Sequence, residues 1–275
     1  MAAGAARGLG PRGGGPGPRG DAHRGRRLGE RRPRCRNATV RTRPSERDGQ
    51  RTARPSHKRG RVRIASFPSA ARALLPGLWP DPDGPADPEA PLIELVEHEP
   101  DRAEAALGRH EVDLAVTHSY SLLPRPLPAG CERRDLFTEP VFLVLHPAEA
   151  AGRGLAPGAA ADLTALADAA WLLPGADTAC HEMAQRACGA AGFVPRPVAV
   201  AGDFAVLCAL AARRAGVALV PRLALPDPGA PGLSAHPLRV PVRRAVHAVH
   251  RAGTGGHPGT RHVLDRLAAL APRDV

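Results

Sequence analysis

The chain has 275 residues, enough for one or two globular domains, and its 38 Lys and Arg outnumber its 27 Asp and Glu to give a net charge of +11. Residues 1–60 hold 17 of the basic and 4 of the acidic side chains, a net of +13, which leaves residues 61–275 at −2. The basicity therefore belongs to the tail and the body is nearly neutral, and no apolar run approaches the ~18 residues of a membrane span or forms the core of a secretory signal. A cytoplasmic protein without membrane contact is expected. Five cysteines, an odd number with no short paired spacing, suit reduced thiols.

Residues 1–60 contain four large apolar side chains, Met1, Leu9, Leu28 and Val40, and the run Gly13 to Pro18 cannot hold a helix. So few apolar groups cannot offset chain entropy, and a disordered Arg/Gly/Pro-rich tail is expected. It can neutralise phosphates without reading sequence, and it has no aromatic side chain to stack on bases.

From residue 61 the pattern changes. Val62 to Ala65 reads as a strand, and Ala70 to Leu78 as a helix that Pro76 kinks or ends. Five prolines make residues 80–91 a loop. Leu92 to Val96 is a second strand, Pro100 to Arg109 a helix, and Val112 to Val116 a third strand that runs into Thr117-His118-Ser119. Pro140 to Leu145 is a strand, residues 148–161 a loop, and Asp162 caps a short helix. Trp171 to Leu173 is a strand, and Asp177-Thr178 caps a helix over 179–191 whose stripe is Cys180, Met183, Ala184, Ala187 and Cys188. Pro197 to Ala201 is a strand. Asp203 then caps a helix with Phe204, Leu207, Cys208 and Ala211 on one face, Gly216 suits its C′ position, and Val217 to Val220 is a strand covered on both faces. Val242 to Arg251 and Pro258 to Leu270 read as a last strand and helix. Strand–helix alternation implies parallel sheets, with ligands beyond the carboxyl ends of the strands.

The order of Ser66-Phe67-Pro68-Ser69, Glu97-His98-Glu99-Pro100, Glu111 to Val116, Leu136 to Val141, Gly202 to Pro221 and the terminal helix resembles the effector-binding domain of LysR-type transcriptional regulators over residues 60–272. The resemblance implies an α/β, two-lobed, periplasmic-binding-protein-like (type 2) fold, each lobe a Rossmann-like sheet with flanking helices. Lobe I would be 61–139 plus 242–275 and lobe II 140–241, with crossings near 138–141 and 239–242. It further implies an intracellular regulator, a homodimer or tetramer, holding a small-molecule effector between its lobes. That family precedes this domain with a winged helix-turn-helix, through which it binds DNA, and with a linker helix. Residues 1–60 show neither, which points to an upstream start or a frame error in GC-rich DNA. DNA contact through the tail as written would be nonspecific.

The candidate effector residues are Ser66, Phe67, Ser69, Thr117, His118, Asp177, Thr178, Asp203 and Phe204, all at strand ends on one rim. Hydroxyls and helix N-termini there suit a small carboxylate or other polar metabolite, while Asp177 and Asp203 admit an amine or hydroxyl handle. No cofactor or metal is expected, since Gln185 stands where His181-Glu182 would need a second histidine for zinc. Cys180 and Cys188 are placed like the redox cysteines of peroxide-sensing family members. Eight helical residues span about 12 Å, too far for a disulfide, so they are read as packing thiols. A transporter's solute-binding protein would need an export signal. An enzyme on the same fold would need a partnered catalytic group at the rim, for which His118 is the one candidate.

Overall fold

The computed structural model describes residues 60–85, 87–227 and 231–272; the expectations for residues 1–59 lie outside them. β1 (Arg61–Ser66) feeds α1 (Pro68–Ala73), β2 (Leu92–Glu97) feeds α2 (Pro100–Gly108), and β3 (Leu114–Tyr120) follows. β1 lies between β2 and β3 and is parallel to both. β9 (Arg243–Arg251), far along the chain, inserts antiparallel between β3 and β4 (Cys131–Leu145). The sheet is therefore mixed, not parallel throughout, because the return strand enters from the opposite end.

β4 joins the two halves. Nine of its first ten residues pair with β9, Leu136 being skipped at a bulge, while Val141 to Leu145 pair antiparallel with β7 (Ala218–Pro221) and β8 (Ser234–Pro237). One strand thus crosses between lobes where the sequence reading began a strand only at Pro140. Residues 131–138 are partly or fully exposed and mostly polar, and show no run of apolar residues to reveal them. Beyond β4 come α3 (Pro147–Gly152), β5 (Ala170–Pro174), α4 (Ala179–Ala190), β6 (Arg196–Ala201) and α5 (Phe204–Ala211). β5 and β6 pair in parallel, and a bridge from Trp171 to Val217 carries them to β7.

Each half has its own core. Val62, Ile64, Leu114, Val116 and Val246 pack under α1 and the face of α6 (Pro258–Leu270) that carries Val263 and Leu267. Leu143, Leu145, Trp171, Leu173 and Leu219 pack under α4, whose five stripe residues are all buried. Leu207, Cys208 and Ala211 of α5 close the other face of the same sheet against Val144, Leu172 and Val220.

Three local expectations are corrected. The first helix is α-helical only to Ala73 and continues as a 3-10 turn over Leu75–Leu78, because Pro76 cannot donate to the turn behind it. Residues 148–152 of the expected loop belong to α3, with Pro147 at the first position and the His146 ring accepting from the Ala148 amide. Gly216 does not follow the end of α5 directly; Arg214 is the residue with a left-handed backbone there. Glycine is needed at 216 because a Cβ would lie 2.5 Å from the Ala170 carbonyl oxygen, where β5 meets the approach to β7.

Candidate functional site

Five chain segments bring strand ends to one place. β1 delivers Phe67 and the α1 residues Pro68 and Ser69; β2 delivers Glu99 ahead of α2; β3 delivers His118. From the other half, β5 delivers Pro174, Thr178 and Cys180 of α4, and β6 delivers Gly202 and Phe204 of α5. Arg244 enters from β9. These residues line a small, partly open cavity of about 10 Å3, room for one water molecule. Beside it, sharing Thr178, a groove of about 680 Å3 runs between α2 and the start of α4.

The floor is a row of three residues in register: Arg244 sits opposite Tyr120 on one side and Glu139 on the other. Arg244 and Glu139 are fully buried. Arg244 Nε donates to Glu139 Oε1 at 2.6 Å, Nη2 donates to Ser69 Oγ at 3.2 Å, and the guanidinium lies 5.0 Å from the centre of the Phe67 ring. The second Glu139 oxygen accepts from the Leu223 amide. Burial lowers the Arg244 pKa, and Tyr120, Glu139 and Cys180 raise it by more; at neutral pH, where Tyr120 and Cys180 are protonated, Glu139 is the anion that faces the guanidinium. Cys180 Sγ lies 3.0 Å from the Tyr120 hydroxyl, a contact from one half of the molecule to the other. Burial pushes the Cys180 thiol up to about 11 and raises the Tyr120 phenol, so both stay protonated at neutral pH.

The wall above this floor differs. The His118 ring stands edge-on to Phe67 and Tyr120, with centroids 4.6 and 5.2 Å away, and is 1% exposed. Burial, with Arg244 and Arg125 adding, holds its pKa well below the usual range, so the ring is neutral. Its Nε2 is 3.9 Å from Glu99 Oε2, beyond hydrogen-bond reach. His118 Nδ1 and Glu99 Oε2 are both buried without a hydrogen-bond partner. Burial raises the Glu99 pKa, Arg244 opposes this, and Asp177, Glu97 and Asp101 add to it.

Of the nine expected residues, Phe67, Ser69, His118, Thr178 and Phe204 line the cavity and Asp177 lines the groove. Ser66, Thr117 and Asp203 line neither. Ser66 is buried with its hydroxyl toward the Phe67 carbonyl. Thr117 neighbours His118 on a strand and so points to the other face of the sheet. Asp203 is spent on the Ala205 amide at the start of α5. The sequence reading did not assign Glu99, Cys180, Gly202 or Arg244 to the site. Arg244 left a signal: it is in phase with Val246 and Ala248, the buried side of β9. The proline-rich segment 80–91 contributes to neither space. Among the described residues no group of three His, Cys, Asp or Glu side chains is placed to hold a metal ion.

Residues 55–272 match the model of the LysR substrate binding domain. The chain belongs to this family. Its structure is similar to a Corynebacterium glutamicum OxyR C206 mutant, with a TM-score of 0.60 and 21% identity over 76% of this chain and 63% of that one. It is similar to the reduced OxyR regulatory domain from Pseudomonas aeruginosa, with a TM-score of 0.59 and 21% identity over 76% of this chain and 98% of that one. It is also similar to the Synechocystis CcmR regulatory domain in complex with 2-PG, with a TM-score of 0.59 and 17% identity over 78% and 99%. No curated protein matches. The chain thus spans about three-fifths of the Corynebacterium protein but nearly all of the two isolated regulatory domains. The fold is the two-lobed, type 2 periplasmic-binding-protein-like fold, and this LysR-type domain has its effector-binding architecture.

Proposed function

We propose that residues 61–275 form the sensor of a cytoplasmic LysR-type transcriptional regulator, with lobe I at 61–139 plus 242–275 and lobe II at 140–241. A small polar effector enters between the lobes and is held by Phe67, Ser69, Glu99, His118, Thr178, Phe204 and Arg244. One observation carries this reading: two residues that line the cavity, His118 and Glu99, each keep a buried polar atom without a hydrogen-bond partner, Nδ1 and Oε2. An unpaired buried polar group costs about 1–3 kcal/mol, so a ligand that pairs with it gains that amount over an apolar one. Effector binding sets the angle between lobes and thereby the geometry of the regulator's oligomer on DNA. No helix among the described residues is long and apolar enough to cross a membrane.

Assembly follows from two edges. β2 ends the large sheet with Leu92, Leu95 and Val96 about 40% exposed, and β6 ends the small sheet with Val198 and Val200 more than half exposed. One edge lies on each lobe, so a two-fold pairing of lobe I with the partner's lobe II covers both at once. Light scattering at micromolar concentration is expected to give twice the chain mass, and Leu95→Glu with Val198→Glu to give a monomer; a monomeric parent protein overturns the pairing.

An enzymatic reading finds its best case in Ser119, His247 and Asp135, where Ser119 Oγ is 3.3 Å from His247 Nε2 and Asp135 Oδ1 is 3.0 Å from Nδ1. Asp135 is 71% exposed and also pairs with Arg133 at 2.9 Å, so it is screened by water and does not hold the ring as a buried carboxylate does. The sensor reading is tested by thermal shift across a metabolite panel. A ligand that raises the melting temperature of the parent protein but not of Phe204→Ala supports it; a ligand indifferent to every cavity substitution removes it.

A further inference from the structure

We infer that Arg125, through one buried water, holds His118 with its proton on Nε2, and that the ring thereby presents a donor, next to the Glu99 acceptor, for a hydroxyl group of the effector. This rests on the cleft being the effector site and adds which ligand group is seated there. His118 lines two spaces. One is the cavity of the cleft, shared with Glu99; the other is a second cavity of about 10 Å3 between β3 and the segment Arg125 to Pro128. The ring nitrogen near Glu99 is Nε2, 3.9 Å from Oε2, and Nδ1 lies on the other side of the ring. Around the second cavity most polar groups are spent. Ser119 Oγ lies 3.3 Å from His247 Nε2, Arg133 pairs with Asp135 at 2.9 Å, and Glu104 accepts from Arg125 Nη2 at 3.0 Å. Two buried side-chain atoms of its lining residues have no hydrogen-bond partner, Arg125 Nε and His118 Nδ1. The space holds one water, and two polar partners suffice to keep a buried water in place. A water that accepts from Arg125 Nε–H and donates to His118 Nδ1 satisfies both.

The charges on the two sides of the ring select the same tautomer. The Glu99 carboxylate attracts a proton to Nε2, and the Arg125 guanidinium, held by Asp101 at 2.6 Å and Glu104 at 3.0 Å, disfavours one on Nδ1. The ring carries a single proton, because its burial disfavours the charged form. In the cleft this leaves a donor and an acceptor 3.9 Å apart, too far to bond to each other. One oxygen between them accepts from His118 Nε2–H and donates to Glu99 Oε2, and the cavity there has room for about one. A hydroxyl does both. A carboxylate accepts from His118 but meets Glu99 with like charge, and an ammonium has no lone pair for the His118 donor. Of the handles that the strand-end residues admit, the hydroxyl is the one selected. Arg125 acts here as a positioning residue, since it touches the ring's far side and not the ligand group.

The experiment reads the tautomer directly, by proton–nitrogen correlation NMR of the full chain carrying isotope-labelled histidine, with the His118 signals assigned by their loss in His118→Phe. The expected result is a parent ring protonated on Nε2 and bare on Nδ1, and a shift to a mixture of both tautomers in Arg125→Met. Cooperative thermal unfolding of each variant shows that the fold is retained. An atomic-resolution crystal structure of the parent should show one water bonded to both Arg125 Nε and His118 Nδ1. The ligand arm uses lactate, propionate and alanine, which differ only in the group on the middle carbon, in saturation-transfer NMR. Lactate should bind at least tenfold more tightly than the other two, and His118→Phe should abolish the difference. A parent ring protonated on Nδ1, a dry second cavity, or a tautomer indifferent to Arg125→Met overturns the positioning role while leaving the cleft as effector site. Propionate or alanine binding as tightly as lactate overturns the hydroxyl assignment. Binding of none of the three counts against that assignment as well; the metabolite panel then decides separately whether the cleft is an effector site.

Discussion

Two acid–base pairs sit side by side in the cleft and behave oppositely. Arg244 and Glu139 are fully buried, bonded to each other, and bonded again to Ser69 and the Leu223 amide. His118 and Glu99 are within 3.9 Å, yet each keeps an unpaired polar atom. The first pair is bonded within the protein and serves the frame: it ties β9 to β4 at the point where β4 crosses between lobes, and Arg244 to the start of α1. The second has capacity and no internal partner. Burial alone does not mark a functional group; burial without satisfaction does.

The largest effect is expected from breaking the satisfied pair. Glu139→Ala leaves the Arg244 cation buried and unpaired, and should cost about 3–5 kcal/mol in urea unfolding. Replacing both partners together, as Arg244→Met with Glu139→Leu, should recover much of that loss, because a well-packed apolar pair carries no desolvation penalty. If the double variant is as unstable as the single one, the pair is not acting as a pair.

The unsatisfied pair should respond to pH, with opposite signs. Burial raises Glu99, so the native state holds a proton that the unfolded chain releases, and stability falls as pH climbs from the ordinary carboxylate range through the raised native value. Glu99→Gln removes that fall. The variant should gain on the parent as pH rises, with the gain vanishing in acid. Burial lowers His118, so the unfolded chain takes up a proton that the native state refuses, and stability falls as pH drops below about 6.5, by up to ~1.4 kcal/mol per pH unit. His118→Phe should flatten that limb. Melting temperatures of parent and variants from pH 4 to 8 check both; parallel curves would show that neither group is buried as described.

The smallest effect is expected at the thiols. Cys180, Cys188 and Cys208 are buried, with pKa values pushed up to about 11, 12 and 11. They should resist alkylation at pH 7.5 for as long as the protein stays folded, and peroxide should not join Cys180 to Cys188. Peptide mass spectrometry reads both; rapid modification of Cys180 would place it among reactive cysteines and change the role of the Tyr120 contact.

Local pattern made much of the frame legible. The α4 stripe is buried at all five expected positions, Asp203 caps α5, and α6 spans the expected Pro258 to Leu270. These features rest on interactions within a few residues, so the sequence near them carries the information. Strand ends and helix starts point to Phe67, Ser69, His118, Thr178 and Phe204, which line the cavity because the sheets bring those ends together. Thr117 lines neither space, since strand alternation next to His118 turns it to the other face.

What the sequence alone determined was the family, the order of elements and the segments whose ends meet. What only the tertiary structure decided was which polar groups there are spent. Glu99 and Arg244 are separated by more than a hundred residues, and nothing local shows that a Glu99 oxygen is unpaired while Arg244 is bonded to Glu139 and Ser69. Satisfaction of a buried charge depends on distances of 3 to 4 Å between strands that the chain visits far apart, and those distances exist only once β9 has slid between β3 and β4.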